Sequence, residues 1–188
     1  LILSREEDFE TVRARHPMVI RMRTGARRDG TLVAREVELL LDGGAYGDDS
    51  PGVLGYALLM NAGPYEIPHV HAHGRVAYTH RMRFGAFRGF GVPQVTFASE
   101  QQIDEIAAKL GLDPVVMRRK NLKGEGARWF CGQPIASNGI AQCLGAVERE
   151  SGWAAKRAEA KAGELRRGIG VAVTAHISGL LASGAIVR

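Results

Sequence analysis

Met18-Val19-Ile20-Arg21-Met22-Arg23, Asp29-Gly30 and Val33-Ala34-Arg35-Glu36-Val37-Glu38-Leu39-Leu40-Leu41 together form the stretch that decides the fold. Met18, Ile20 and Met22 alternate with Val19, Arg21 and Arg23, and Val33, Val37, Leu39 and Leu41 alternate with Ala34, Glu36 and Glu38. A period of two places successive side chains on opposite faces of a strand, so each run has one apolar and one polar face. Asp29-Gly30 between the runs supplies the positive φ angles of a tight reversal. The stretch predicts a long antiparallel hairpin.

Upstream, Ser4-Arg5-Glu6-Glu7 has capping-box spacing, which predicts a short helix ending before Pro17, with Leu1-Ile2-Leu3 as a strand end before it. Downstream, Asp42-Gly43-Gly44-Ala45-Tyr46-Gly47 ends the second strand in a loop that permits close backbone approach. Tyr56 to Ala62 reads as a short helix closed by Gly63-Pro64, and Val70 to Thr79 as a strand. A helix from near Pro93 to Gly111 presents Val95, Ser99, Ile103, Ile106, Ala107 and Leu110 on one face. Asp113-Pro114 caps the next helix, which runs to about Leu122 with Arg118, Arg119 and Lys120 in its last turns, where cations complement the helix dipole. Ser137 or Asn138 caps a helix carrying Ile140, Leu144 and Val147, and Ala154 to Leu165 reads as helix. Gly168 to Thr174 reads as a buried strand, followed by a turn at Ser178-Gly179 and a final strand. Strands and helices mix without a strict βαβ rhythm, and the fold class expected is α+β, a long antiparallel hairpin and further strands packed with several helices.

The 188 residues suffice for one domain with a real core, and 45% hydrophobic with 24% charged residues is a globular balance. The 24 glycines show no collagen period and point to tight turns. No apolar run approaches the ~20 residues a membrane span needs, and no signal peptide is legible, so the expected location is cytoplasmic. Cys131 and Cys143 are too few for an iron-sulfur cluster or a Cys-rich zinc site and read as reduced thiols. The net charge of +5 suits an anionic partner or offsets an acidic surface elsewhere. The chain opens without Met and stops at Ala185-Ile186-Val187-Arg188, a strand in progress, which reads as a piece cut at both ends from a longer protein.

The chemistry concentrates in Gly85-Ala86-Phe87-Arg88-Gly89-Phe90-Gly91-Val92-Pro93-Gln94. An Arg and two Phe among glycines, directly before a helix N-terminus, suit an oxyanion pocket for a planar substrate: backbone N–H groups and a guanidinium for the anion, aromatic faces for the ring. A Gly-rich turn with Phe87 and Phe90 in the core and Arg88 in a salt bridge is the plain alternative. Arg88-Gly89-Phe90-Gly91 also opens the stacking strand of RNA-recognition domains, but Val92 stands where the next aromatic belongs and Pro93 cannot donate to a central ladder. His69, His71 and His73 share one strand face, a row that can bind Zn or Cu, yet no carboxylate adjoins it in sequence, so a solvated face is the expected reading.

Arg15-His16-Pro17, Gly43-Gly44-Ala45-Tyr46, Gly63-Pro64-Tyr65-Glu66-Ile67-Pro68, Ala86 to Gln94 and Arg118-Arg119-Lys120-Asn121-Leu122 appear in the order and spacing of the xanthine dehydrogenase/aldehyde oxidase family. The whole of 1–188 resembles an internal fragment of that family's molybdopterin-binding large subunit, most strongly over 1–122 and more loosely over 123–188, where helices precede a strand. The resemblance implies an oxidoreductase that hydroxylates, or reduces, an aldehyde, N-heterocycle or aromatic substrate at a molybdenum-pterin centre. It implies the cytosine dinucleotide form of molybdopterin, with 2Fe-2S and FAD on other domains or subunits. Phe87, Arg88, Gly89 and Gly91 would face the cofactor, Arg88 near the molybdenum ligand shell without being a conventional ligand, and Tyr56 and Phe90 the substrate. Xanthine-oxidising relatives carry an Arg where this chain has Tyr56, 32 residues before Arg88, which turns the expected substrate away from purines. Carbon monoxide dehydrogenases place a cysteine beside the corresponding Arg, so no Mo-Cu site is expected. The glutamate base and the Gln/Gly pterin loops that the resemblance implies fall outside 1–188; no catalytic residue is expected within the fragment, which alone would be inactive and bind no cofactor. An RNA-binding module built on the Arg-Gly-Phe-Gly loop and a purely structural domain are the alternatives.

Overall fold

The computed structural model describes residues 2–159 and 167–176. The hairpin is its centre: β1 (Met18–Ala26) pairs antiparallel with β2 (Leu32–Gly44), Met18 opposite Leu41, Ile20 opposite Leu39 and Met22 opposite Val37. Gly30 has φ of 86°, but Asp29 keeps a negative φ; its carboxylate instead accepts from Thr31 N and Oγ1, each at 3.0 Å. These bonds, the backbone one foremost, and the Lys120 ammonium hold the Asp29 carboxyl down at about 2.

A third strand, β3 (His69–Tyr78), lies parallel to β2 on its other edge, so the sheet order is β1-β2-β3. The connection is α2 (Ser50–Leu59), which makes β2-α2-β3 one βαβ unit within an otherwise mixed fold. This helix begins and ends earlier than the span 56–62 expected from the sequence. Pro51 sits in its first turn, where a missing N–H costs nothing, so Pro51-Gly52 starts the helix instead of breaking it. Ile2 and Leu3 form no strand; Ile2 is almost wholly exposed.

The helix α1 (Arg5–Thr11) starts at the expected capping box, with Glu7 N donating to Ser4 Oγ and Ser4 N to Glu7 Oε2. α3 (Val92–Leu110) is bounded by left-handed Gly91 and Gly111. α4 (Pro114–Asn121) is capped by Asp113, whose Oδ1 accepts from Val115 N at 2.7 Å. α5 (Ile140–Ser151) follows Asn138, whose Oδ1 accepts from Ile140 N; Leu144 is buried and Val147 faces solvent. α6 (Trp153–Glu159) covers the first part of the expected helix. Residues 167–176 are extended and half-buried, with no sheet ladder among the described residues, so the buried strand expected there is instead a strap. Its Ile169, Val171 and Val173 pack on Val115, Leu144 and Trp153. The turn at Ser178-Gly179 and the final strand lie outside the described residues.

One sheet face carries the core. Val37, Leu39 and Leu41 of β2 pack against Val53 and Ala57 of α2 and Val95 of α3. A second cluster joins Leu32, Tyr65, Ile67, Ile103, Ala107 and Met117. Arg35 falls on the same inner face and is buried. It donates to Asn61 O, Ser99 Oγ and Thr24 Oγ1, and desolvation pulls its pKa down to about 10. Arg118, expected to complement a helix dipole, is fully buried and donates to Glu100 Oε2 at 2.8 Å and Asp104 Oδ1 at 2.6 Å. The same Glu100 accepts from Tyr65 OH at 2.6 Å and from Val173 N at 2.8 Å, so one carboxylate joins the 63–68 segment, α3, α4 and the strap. Among the described residues no helix is long and apolar enough to cross a membrane. Cys131 and Cys143 are exposed free thiols.

Candidate functional site

The Gly89-Phe90-Gly91 turn is where the chain reverses into α3. All three residues have positive φ, 96°, 47° and 91°, and the turn is closed by Phe90 N to Phe87 O at 2.8 Å and Val92 N to Gly89 O at 2.9 Å. Phe90 is unusual here, since a residue with a Cβ rarely occupies this region. The two glycines have internal reasons. A Cβ on Gly89 would lie 2.5 Å from Pro93 Cγ, and one on Gly91 would lie 2.6 Å from Val53 O. Close packing of the turn against α2 and α3 therefore fixes both positions. The helix N-terminus offers less to an anion than the sequence led one to expect, because Val92 N–H is already bonded within the turn and Pro93 has none.

The neighbouring 13–17 segment holds the loop from outside. Arg15 donates to Arg88 O at 2.7 Å and to Gln94 Oε1 at 3.2 Å, and its guanidinium lies 4.6 Å from the centre of the Phe87 ring. Gln94 Nε2 returns a bond to His16 O at 3.3 Å, and Gly85 N donates to Ala14 O. His16 Nε2 lies 2.7 Å from Ser50 Oγ at the start of α2, both side chains buried. Burial pulls the His16 pKa below its ordinary value, against Asp42, Asp48 and Asp49, which act to raise it. Arg15-His16-Pro17 thus ties together the two elements that carry the site.

The sequence-predicted residues divide into two groups on either side of the turn. Phe87 and Arg88 line an open cleft of about 910 Å³ together with Val12, Arg13, Arg83 and Ala86. Arg13 is paired with Asp48 at 3.3 Å and Asp49 at 3.0 Å. Arg83 and Arg88 are exposed, with no side-chain partner among the described residues. A cleft with two unneutralised guanidiniums beside a half-exposed phenyl ring suits an anionic group joined to a flat one. Phe90 and Tyr56 do not line this cleft. Their rings meet edge to face at 5.5 Å, and Tyr56 also lies 5.4 Å from the His176 ring. Tyr56 packs on buried Met60 and Val92, as do Trp129 and Ala175.

Arg13, Arg83, Trp129 and His176 carried no local signal in the sequence; only tertiary contact brings them to the site. Arg88-Gly89-Phe90-Gly91 is a left-handed turn and not a strand, which removes the geometry an RNA-stacking platform requires. The histidine row is exposed on β3 as expected.

A family model described as the molybdopterin cofactor-binding domain matches residues 1–122. The chain is 38% identical over 178 residues to a probable xanthine dehydrogenase subunit of Bacillus subtilis, covering 94% of this chain and 24% of that protein. It is 39% identical over 138 residues to the nicotinate dehydrogenase large molybdopterin subunit of Eubacterium barkeri, covering 73% and 32%. Among solved structures, the aldehyde oxidoreductase of Desulfovibrio gigas superposes with a TM-score of 0.79 at 28% identity, over 85% of this chain and 18% of that one. The chain therefore spans about a quarter to a third of the length of these curated relatives.

Proposed function

The chain belongs to the molybdopterin cofactor-binding domain family, and on that premise we propose that it supplies one wall of the molybdenum site of a hydroxylase of the xanthine dehydrogenase/aldehyde oxidase type. The observation that supports this most directly is the pair of free guanidiniums, Arg83 and Arg88, beside the strained turn in a cleft of about 910 Å³. Their charge and donor set fit a cofactor that carries phosphate and oxo groups, and the Phe87 ring fits its flat pterin. Phe87 and Arg88 are the cofactor-facing side chains in this reading, and Gly89 and Gly91 serve it by permitting the left-handed turn that presents them. Molybdenum held by the pterin supplies the two-electron redox chemistry when bound.

This chain's own part is positioning. Arg15 fixes the carbonyl of Arg88, so the Arg88 side chain leaves a rigid turn and faces the cofactor as a preorganised cation. Phe90, pinned against Tyr56, offers an aromatic edge to the substrate, and Tyr56 a phenol where a second guanidinium would favour purines. The substrate class proposed is an aldehyde, an N-heterocycle or another electron-poor aromatic. The cytosine dinucleotide form of the cofactor, iron-sulfur and FAD domains or subunits as electron partners, and a cytoplasmic location complete the proposal.

The test is to express the full-length parent with cofactor maturation and measure molybdenum and pterin content alongside turnover of a panel of aldehydes and N-heterocycles. Molybdenum near one per active site is expected; an active parent free of molybdenum and pterin overturns the reading. Arg88→Ala is expected to cut kcat/KM by about 100-fold or more, the scale of one preorganised electrostatic donor. Unchanged turnover in that variant would show the turn to be purely structural.

A further inference from the structure

The outer face of the sheet, opposite the core, is ordered by the strand register into rows. Arg23 of β1, Glu36 of β2 and His71 of β3 form one row, and Arg21, Glu38 and His73 the next. In the sequence the histidines stand more than 30 residues from these glutamates; parallel pairing of β3 with β2 brings them side by side. His71 and His73 rings lie 5.6 Å apart, centre to centre, and both are exposed. His73 Nε2 is 3.9 Å from Glu38 Oε1, while the other carboxylate oxygen, Oε2, accepts from Arg21 at 3.0 Å.

From this geometry we propose a divalent transition-metal site on the sheet, made by His71, His73 and the Oε1 atom of Glu38, open to water on its fourth side. Two imidazoles bound to one zinc-like ion through nitrogens at about 2.1 Å, at a tetrahedral angle, have ring centres about 5.2 Å apart, and an imidazole and a carboxylate donor on that ion lie about 3.4 Å apart. The observed 5.6 and 3.9 Å differ from these by about half an ångström, a distance that χ rotations of accessible side chains cover. In the present conformation no three such groups among the described residues converge on one point, so the ion would draw the donors together.

The charge around the site permits this. Arg21 and Arg23 are engaged by Glu38 and Glu36 at 3.0 and 3.7 Å, which leaves Arg75 as the uncompensated cation among the groups that face the histidines from β1, β2 and β3. Nitrogen-rich ligation selects Zn²⁺, Ni²⁺ or Cu²⁺ over Mg²⁺ or Ca²⁺. His69, opposite Ala34 and with no carboxylate across from it, is not a ligand.

The experiment is isothermal titration of the 188-residue chain with Ni²⁺ and Zn²⁺, with Mg²⁺ as control and circular dichroism to confirm the fold of each variant. One ion per chain is expected. His71→Ala and His73→Ala should each weaken binding about tenfold or more, Glu38→Gln by several-fold, and His69→Ala by less than about threefold. Binding no tighter than in a variant lacking all three histidines overturns the proposal, as does an equal loss from His69→Ala. A Cu²⁺ complex whose electron-spin spectrum shows a single imidazole nitrogen also overturns it. All of these side chains are accessible to solvent, so loss of binding with an unchanged far-ultraviolet spectrum reports the ligands and not unfolding.

Discussion

Gly91→Ala is a sharp test of how the site is held, because its cost has two separable parts. The residue sits at φ 91° and ψ −22°, a conformation that costs a residue with a Cβ about 1–2 kcal/mol. The new methyl would also lie 2.6 Å from Val53 O, 3.1 Å from Val53 Cγ1 and 3.2 Å from Ala57 Cβ, all on α2 and all buried. The first contact is with backbone, so α2 must retreat as a body, and overpacking of this kind costs about 1–3 kcal/mol more. The total is about 2–5 kcal/mol. Gly126 provides the control: its φ is 80°, yet nothing lies within 4 Å of its Cβ position, so Gly126→Ala should show the backbone part alone, about 1–2 kcal/mol. Both substitutions reduce unfolded-state freedom alike, and that effect cancels in the comparison. Urea unfolding followed by circular dichroism measures the difference. Equal losses would refute the packing argument.

Two further outcomes follow from buried polar groups. Arg118→Met strands the Glu100 carboxylate among Tyr65 and Val173 and should cost about 3–5 kcal/mol, whereas adding Glu100→Leu to it should recover much of that loss; urea midpoints of the two single variants and the double give the coupling, and a double variant no more stable than either single would contradict the ion-pair account. His16 has a folded pKa depressed by burial, so the unfolded chain takes up protons first: its contribution is intact above about pH 6.5 and is lost as pH falls through the folded value. His16→Gln should flatten that part of the stability profile, measured by urea midpoints between pH 7.5 and 5.

Where the sequence was legible, the signal was local. The period-two alternation gave β1 and β2 their faces, and Pro93 at one end and Gly111 at the other gave α3 its limits within a residue. α2 was misjudged because 50–55, Ser-Pro-Gly-Val-Leu-Gly, has poor helix propensity; its Val53 and Ala57 make it a helix by packing on β2. Parallel pairing of β3 has no local signature at all, and the carboxylates beside the histidine row were invisible for that reason. In the site, Arg88 and Phe90 stood out because arginine and aromatics among glycines are conspicuous. Arg13, Arg83, Trp129 and His176 reach it from four separate segments, and no window of sequence contains them together.

The ordered motifs that revealed the family turn out to encode the frame more than the chemistry. Arg15 and His16 clamp the loop and α2; Tyr65 and Arg118 meet at Glu100; Asn121 receives Leu32 N and donates to Gly30 O, locking α4 to the hairpin turn. Each of these polar contacts is long-range, and most are buried, where an unmatched partner costs about 1–3 kcal/mol. Substituting any one of them penalises folding before it touches function. Arg83 and Tyr56 are different: they border the cleft and the aromatic cluster without joining that network, so the frame places no demand on their charge or hydrogen bonding. A change at either can alter what the site accepts while the turn beneath it stays in place. On the proposed reading, a family built this way can keep one scaffold for the cofactor and change substrate through a few side chains outside the buried polar network, and the phenol at position 56 would be one such change.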